Sequence, residues 1–170
     1  MILLDVNLLV YAKAERFPQH ARAKEWMYEQ MNGGQRVGIP WTSIAAFLRV
    51  MTQPRVLERP LTTEVALQHI AEWLNTDNVW IPGPTDAHRE IFSRMLMEGR
   101  ATGGKVHDAE LAALAIEHGL VLCSADRDFA RFPGLRWLDP FSPSPPSAAE
   151  RATPFGADRS TRKRVRAGVR

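Results

Sequence analysis

Short apolar segments without a polar face alternate along this chain with longer segments of helical spacing. A short apolar run that lacks the two-residue alternation of a half-exposed strand is typical of a strand buried on both faces. Such strands, separated by amphipathic helices, favour an α/β fold with a mostly parallel sheet covered by helices. The predicted strands are ILLD (2–5), VGIP (37–40), NVWIPG (78–83), LVLCSAD (120–126) and LRWLD (135–139).

The predicted helices lie between these strands. Asn7 is predicted as the N-cap of the first helix and Thr62 or Thr63 as the cap of the fourth, because side-chain oxygens at these positions accept from free helix amides. ATGGK (101–105) is predicted as a loop, and RDFARF (127–132) as a short helix or turn. The helical segments are 7–15, 20–31, 42–52, 62–75, 86–100 and 108–119.

The chain divides into one folded domain, residues 1–141, and a tail, residues 142–170, that is first Pro/Ser-rich and then basic. Of the 22 basic and 19 acidic residues, seven basic and two acidic ones lie in the tail, which leaves 15 basic and 17 acidic residues in the domain. A basic tail suggests an anionic partner such as nucleic acid. The plainer interpretation, which we expect, is a solvated and disordered terminus.

Composition narrows the class of protein further. Apolar residues make up 45% and charged residues 24% of the chain, and no apolar run approaches membrane-spanning length, as in ordinary globular domains. The start lacks the pattern of a signal peptide, so we expect a cytoplasmic protein without a membrane partner. The single cysteine, Cys123, excludes an intramolecular disulfide and a cysteine-rich zinc site.

Four aspartates lie at the predicted ends of strands and helices. Asp5 ends the first strand, Asp108 opens the Ala-rich helix, and Asp126 and Asp128 follow the LVLC strand just after Ser124. If those strands are neighbours, the carboxylates converge at one edge of the sheet, where sites form in parallel α/β folds. Clustered carboxylates repel one another, and they are the ligands that Mg²⁺ and Mn²⁺ prefer.

Each aspartate also has a plainer interpretation. Asp5 is explained as a strand-end residue bonded to backbone amides, and Asp108 as a helix N-cap. Asp126 is explained as the cap of the next short helix and Asp128 as a first-turn acid favoured by the helix dipole. Their joint position at one predicted edge is what favours a metal site over these separate explanations.

The motifs LLDVNLLVYA, PWTSIAAFLRVMTQPRV, HDAELAALAIEHG and LCSADRDFARFPGLRW together resemble the PIN domain family, in particular its VapC-type toxin ribonucleases. The resemblance spans residues 1 to 139. It implies a three-layer α/β/α sandwich and a Mg²⁺- or Mn²⁺-dependent endoribonuclease that acts on RNA. It also implies homodimers and a cognate antitoxin that lays a segment across the site.

The resemblance assigns roles to residues that match the family pattern. Asp5, Asp108 and Asp126 resemble its metal-binding acids, and Asp128 a fourth carboxylate that helps to hold metal or water. Asn7 and Ser124 resemble the polar residues that brace this cluster. The four aspartates are therefore the candidate catalytic residues.

One departure from the family concerns the helix after the second strand, where many members carry a glutamate. Here that helix contains Phe47 at the position where we expect the glutamate, so one metal-site carboxylate is missing. Glu110 is a candidate replacement. However, it lies two residues after Asp108, and side chains two apart on a helix diverge by about 200°, so a solvated residue is the plainer interpretation.

Basic and aromatic residues offer candidate contacts for RNA around the acidic cluster. Trp41 is a candidate base-stacking residue, although an aromatic beside a strand end is more often core. The candidate basic rim, each member of which is otherwise an ordinary surface cation, consists of Arg49, Arg55, Lys105 and Arg127. Apolar residues that are candidates for an interface, with core packing as the plainer interpretation, are Trp26, Met27, Met31, Phe47 and Met51.

Three functions compete at this stage. The first is a metal-dependent ribonuclease toxin in which metal-activated water cleaves RNA. The second is a weakly active or inactive PIN-like module that binds RNA or a protein partner, which the loss of the glutamate at Phe47 favours. The third is a phosphotransfer or receiver-like domain with Asp5 as covalent acceptor, and it lacks both a second acid beside Asp5 and a placed lysine.

Overall fold

The computed structural model describes residues 1–142. The prediction of a disordered tail falls almost wholly on residues 143–170, which lie outside the described residues. The strands are β1 (Ile2–Leu4), β2 (Val37–Gly38), β3 (Val79–Trp80), β4 (Val121–Cys123) and β5 (Trp137–Leu138). The helices are α1 (Val6–Lys13), α2 (His20–Asn32), α3 (Trp41–Met51), α4 (Thr63–Leu74), α5 (His88–Glu98) and α6 (Lys105–Glu117), with a short 3₁₀ helix at Arg127–Arg131.

The five strands form one sheet in the order β3-β2-β1-β4-β5, and all four neighbouring pairs are parallel. The predicted mostly parallel sheet is therefore confirmed. β1 is central and pairs with β4 in the register Ile2 to Val121 and Leu4 to Cys123. The strands that precede Asp5 and Ser124 are thus direct neighbours, so the two residues meet at the carboxyl edge.

Both faces of the sheet are buried, as the unalternating apolar strands predict. Along β1, Ile2 and Leu4 belong to one core, whereas Leu3 between them belongs to a second core on the opposite face. α1 to α4 pack on the first core and α5 and α6 on the second. The result is the predicted three-layer α/β/α sandwich.

The burial of several side chains decides between the core and interface roles that the sequence left open. Met27, Phe47 and Met51 are almost fully buried in the first core, and Trp26 and Met31 pack partly buried against it. Core packing therefore explains these residues, and the interface interpretation is wrong for the buried three. Cys123 is also buried, and burial raises the pKa of its thiol to about 12.

Two helix starts differ from the prediction. Asp5, not Asn7, caps α1 and accepts from the backbone amide of Val6, while Asn7 lies in the first turn. α6 begins at Lys105, so the predicted loop is one residue shorter and Asp108 lies inside the first turn instead of opening the helix. Thr62 caps α4 as expected.

Among the described residues, the helices are all too short or too polar to span a bilayer.

Candidate active site

The candidate site lies at the carboxyl ends of the two central strands. Asp5 follows β1 directly, and its amide continues the strand pairing by donating to the carbonyl of Cys123 (3.1 Å). Ser124 follows β4, and Asp126 caps the 3₁₀ helix by accepting from the amide of Asp128 (2.9 Å). Parallel pairing of the two strands therefore brings Asp5 and Ser124, which are 119 positions apart in the sequence, into contact.

Asp5 is 6% exposed and its carboxylate is held on both oxygens. Val6 donates its amide to Oδ1 (2.6 Å), and the hydroxyl of Ser124 donates to Oδ2 (2.7 Å). Asn7 Nδ2 lies 2.8 Å from Asp5 Oδ2 and 2.8 Å from Ser124 Oγ, so it donates to both atoms. The buried carboxylate is thus fixed in one orientation. Asn7 and Ser124 thus both contact Asp5, and their role in bracing a metal site stays a prediction.

Ser124 links this network to the next acid. Its hydroxyl oxygen accepts from the amide of Asp126 (3.0 Å), and the amide of Ala125 points to the side-chain oxygen of Asn7 at 3.4 Å. Asp126 is therefore positioned by the same buried serine that holds Asp5.

Lys105 lies among the remaining acids. Its Nζ is 2.9 Å from Asp108 Oδ2, 3.3 Å from Asp126 Oδ2 and 2.6 Å from Asp128 Oδ2. The role of Lys105 in an RNA-binding rim stays a prediction, and in this structure its charge is paired with three carboxylates. Lys105 and Asp108 are three residues apart, a spacing that brings side chains together on one helix face. This contact is missing from the sequence-based predictions because they place Lys105 in a loop.

The pKa values follow from this arrangement. The pKa of Asp5 is raised from 3.8 to about 6, chiefly by burial and also by the charges of Asp108 and Asp126, while the hydrogen bonds from Ser124 and Val6 oppose the rise. The contact with Asp128, followed by those with Asp108 and Asp126, holds the pKa of Lys105 well above its usual range. The same ammonium lowers the pKa of Asp128. Among the described residues, Lys105 forms salt bridges with Asp108, Asp126 and Asp128 but none with Asp5.

A groove of about 630 Å³ opens beside Asp5. α3 forms one wall, and α6 contributes the other; Ser43 fixes α3 to the sheet by donating its hydroxyl to the carbonyl of Leu4 (2.8 Å). The residues that line it include Asp5, Trp41, Thr42, Ala45, Ala46, Arg49, His107 and Asp108. Its volume is within the range of pockets that hold small ligands, roughly 300–1,000 Å³.

Trp41 differs from its sequence interpretation. It is 64% exposed on the groove wall, so the core explanation is wrong. Arg49 lines the same wall two helical turns further on and makes no salt bridge within residues 1–142. His107, expected in a loop, is on α6 and faces the groove.

Two further sequence assignments concern residues of α3 and α6. Phe47 points away from the groove into the core, where its ring meets Trp73 at a centroid distance of 5.0 Å. The α3 residues that line the groove include Ala45 and Ala46 but not Phe47. The match of Phe47 to the family glutamate stays a prediction, and in this structure its side chain does not reach the groove. Glu110 does not line the groove, as expected from its angular separation from Asp108.

The donor set fits a hard divalent cation, although it is not drawn together as a finished site. Within residues 1–142, no three acidic, histidine or cysteine side chains form a ready-made ligand group. Asp108, Asp126 and Asp128 instead surround an ammonium at 2.6 to 3.3 Å, whereas Mg²⁺ needs oxygen ligands at about 2.0–2.1 Å. These oxygens already bind a cation, the ammonium of Lys105, so their chemistry suits positive charge.

The chain matches the model of a known family over nearly all of the described residues. The model of the PIN domain covers residues 2–135. This chain belongs to the PIN domain family. Ribonuclease VapC33 of Mycobacterium tuberculosis is 39% identical to this PIN domain protein over 140 residues, which are 82% of this chain and 98% of that protein. Ribonuclease VapC37 of the same bacterium is 37% identical over 140 residues, with coverage of 82% and 97%.

A solved structure shows the same fold. The structure of a toxin-antitoxin complex from Klebsiella pneumoniae aligns with a TM-score of 0.55 at 20% identity, over 83% of this chain and 98% of that chain. At this identity the likeness establishes the PIN fold alone.

Proposed function

We propose that this PIN domain protein is a metal-dependent endoribonuclease and the toxin of a toxin–antitoxin pair. The proposal is supported by the position of Asp5 and Asp108 on one open groove and by the contact of Asp108 and Asp126 with the same ammonium, that of Lys105. Asp5 and Asp108 line that groove, and the charges of Asp108 and Asp126 act on the pKa of Asp5. Relatives at 37% and 39% identity that bear the name ribonuclease support the proposed reaction.

Asp5, Asp108 and Asp126 would hold a divalent ion, Mg²⁺ or Mn²⁺, with Asp128 nearby. The bound ion supplies charge neutralisation at the scissile phosphate and lowers the pKa of a water molecule. Ser124 and Asn7 orient the Asp5 carboxylate by donating to Oδ2, and the bond from Ser124 opposes the rise in its pKa. Attack of water in line with the leaving 3′ oxygen would leave a 5′ phosphate and a 3′ hydroxyl, with no side-chain nucleophile.

The groove offers a path for single-stranded RNA to reach these acids. The exposed ring of Trp41 can stack on an unpaired base, and the guanidinium of Arg49 can pair with a flanking phosphate. Because the acids are negative, binding of RNA depends on these groups and on the metal. Arg55 and Arg127 stay candidates for the outer rim.

Protein partners follow from the same proposal. A cognate antitoxin would cover the groove, and the toxin would form a homodimer, consistent with the naming of the Klebsiella pneumoniae complex as toxin–antitoxin. The cytoplasm stays the predicted location.

The test is cleavage of mixed RNA by the purified protein with Mn²⁺ and with a chelator. We expect cleavage that requires the metal and that is lost in Asp5→Asn and Asp126→Asn. Asp77→Asn is the matched control, because Asp77 is an exposed acid away from the groove, and it should cleave like the wild type. Cleavage that persists with chelator, or in both site variants, would contradict the proposal.

The second candidate is a PIN-like module that binds RNA or a partner without cutting. It is favoured by the absence of a carboxylate on the groove face of α3 and by the engagement of three acids with Lys105. Tight binding of RNA without cleavage at any Mn²⁺ concentration would support it. Covalent phosphotransfer at Asp5 is disfavoured because both of its oxygens accept hydrogen bonds in a buried position.

A further inference from the structure

Lys105 is held in place by the turn that starts α6. Gly103 adopts a positive φ of 56°, which a glycine reaches without strain, and the amide of Lys105 donates to the carbonyl of Thr102 (3.0 Å). The side chain is 32% exposed and ends between carboxylates that come from α6 and from the 3₁₀ helix. The turn thus places the ammonium of Lys105 beside the carboxylates of Asp108 and Asp128.

The cluster has two unequal sides. Asp5 is held by Ser124, Asn7 and the amide of Val6, and it is not among the partners of Lys105. Asp128 contacts Lys105 at the shortest of the three distances, 2.6 Å. Asp108 and Asp126 contact Lys105, and their charges also act on Asp5. We call the Asp5 end of the cluster its inner side and the Lys105 end its outer side.

We propose that the ammonium of Lys105 takes the place of a second divalent cation, so that the site binds a single metal ion on its Asp5 side. The inference rests on the proposed metal site, which it deepens. The four carboxylates carry at most four negative charges, and Lys105 together with one divalent ion supplies three positive charges. A second ion on the outer side would have to lie against the ammonium or expel it from three carboxylates, which opposes binding by direct repulsion.

The number of bound ions tests this directly, without reference to activity. Mn²⁺ is titrated into the full-length protein, and the free ion is measured by electron paramagnetic resonance alongside calorimetry. We expect one bound ion in the wild type and two in Lys105→Met, because the substitution frees the outer carboxylates while keeping the apolar stem. Lys105→Arg keeps the charge and should bind one ion. Lys13→Met, which removes a lysine paired with Glu72 on another face, is the matched control and should also bind one ion.

The outcomes separate this inference from the proposed function. Two ions in the wild type, or one ion in both the wild type and Lys105→Met, would overturn the role of Lys105 and leave the metal site intact. Absence of Mn²⁺ binding in all variants would overturn both. If Lys105→Met melts at a temperature well below that of the wild type, Lys105→Gln provides a second neutral variant. Two bound ions in the wild type would by themselves overturn the inference.

Discussion

The hydroxyl of Ser124 donates a 2.7 Å hydrogen bond to the carboxylate of Asp5, across 119 positions of sequence. Both side chains are buried, and the serine oxygen also accepts from the amide of Asp126. A single hydroxyl therefore joins the end of β1 to the segment after β4 and sets the relative positions of two candidate metal ligands.

Removal of that hydroxyl should cost stability. In Ser124→Ala, Asp5 loses a donor and the amide of Asp126 loses an acceptor, so we expect the free energy of unfolding to fall by roughly 1–3 kcal/mol. Urea unfolding without metal measures the change. Ser93→Ala removes an exposed hydroxyl that bonds only to the carbonyl of Arg89, and it should change stability by no more than about 0.5 kcal/mol. Equal effects of the two substitutions would contradict the structural role of Ser124.

The stability of the metal-free protein should decline as pH rises through the pKa of Asp5. That pKa is about 6 in the folded protein against 3.8 as the reference value, so the folded state binds a proton more tightly than the unfolded state. The contribution of this group is therefore fully present below 3.8 and is lost as the pH rises through about 6. A difference of about two pKa units corresponds to roughly 3 kcal/mol.

The measurement is urea unfolding between pH 4 and pH 8, at intervals of about one unit, for the wild type and Asp5→Asn. Asparagine does not titrate, so the difference between the two profiles isolates Asp5 from other acids such as Asp128, whose pKa is shifted the opposite way. The wild type should lose stability relative to Asp5→Asn as pH increases. Parallel profiles would show that Asp5 has an ordinary pKa.

A glutamate introduced on α3 should act in opposite ways at two adjacent positions. Phe47→Glu places a carboxylate in the core against Trp73, and we expect a loss of at least about 3 kcal/mol of unfolding free energy. Ala46→Glu places it on the groove face, where the chain should stay folded and bind Mn²⁺ more tightly. Thermal melting and Mn²⁺ titration measure both effects. A folded Phe47→Glu variant with tighter metal binding would place Phe47 in the site after all.

Trp41 should contribute to RNA binding without contributing to stability. Loss of a stacked base costs about 1–3 kcal/mol, so Trp41→Ala should weaken binding of single-stranded RNA by roughly 5- to 150-fold. Fluorescence anisotropy of a labelled oligonucleotide, in Asp126→Asn protein to prevent cleavage, measures the affinity. Tyr28→Ala is the matched control because Tyr28 is also exposed, on α2, and does not line the groove. Unchanged RNA affinity in Trp41→Ala would exclude it from the RNA path.

The sequence predicted the layers and the position of the site because those depend on strong, short-range patterns. Apolar strands such as Ile2–Leu4 had no polar face, so burial on both sides followed, and parallel pairing placed Asp5 and Ser124 at one edge. Exposure of Trp41 and burial of Phe47 were not predictable from composition. They depend on the rotation of α3, which the bond from Ser43 to Leu4 and the packing of Phe47 on Trp73 determine.

The details of the acid cluster were also beyond the sequence. Asp5 and Asn7 are only two positions apart, and both residue types are good helix caps, so the sequence did not decide between them. Lys105 is the first residue of α6, but the preceding Gly103 and Gly104 are typical of a loop, so the sequence did not indicate this helix start. Long side chains reach several neighbours, so the choice of three carboxylates by Lys105 is settled only by tertiary geometry.

The most direct test of the account is the anomalous scattering of a crystal of this protein soaked in Mn²⁺. The account predicts one peak within ligand distance of Asp5, Asp108 and Asp126, with the ammonium of Lys105 still between Asp108 and Asp128. A Mn²⁺ peak elsewhere, or none at saturating concentration while the acids stay closed on Lys105, would contradict a metal-dependent nuclease site at this edge.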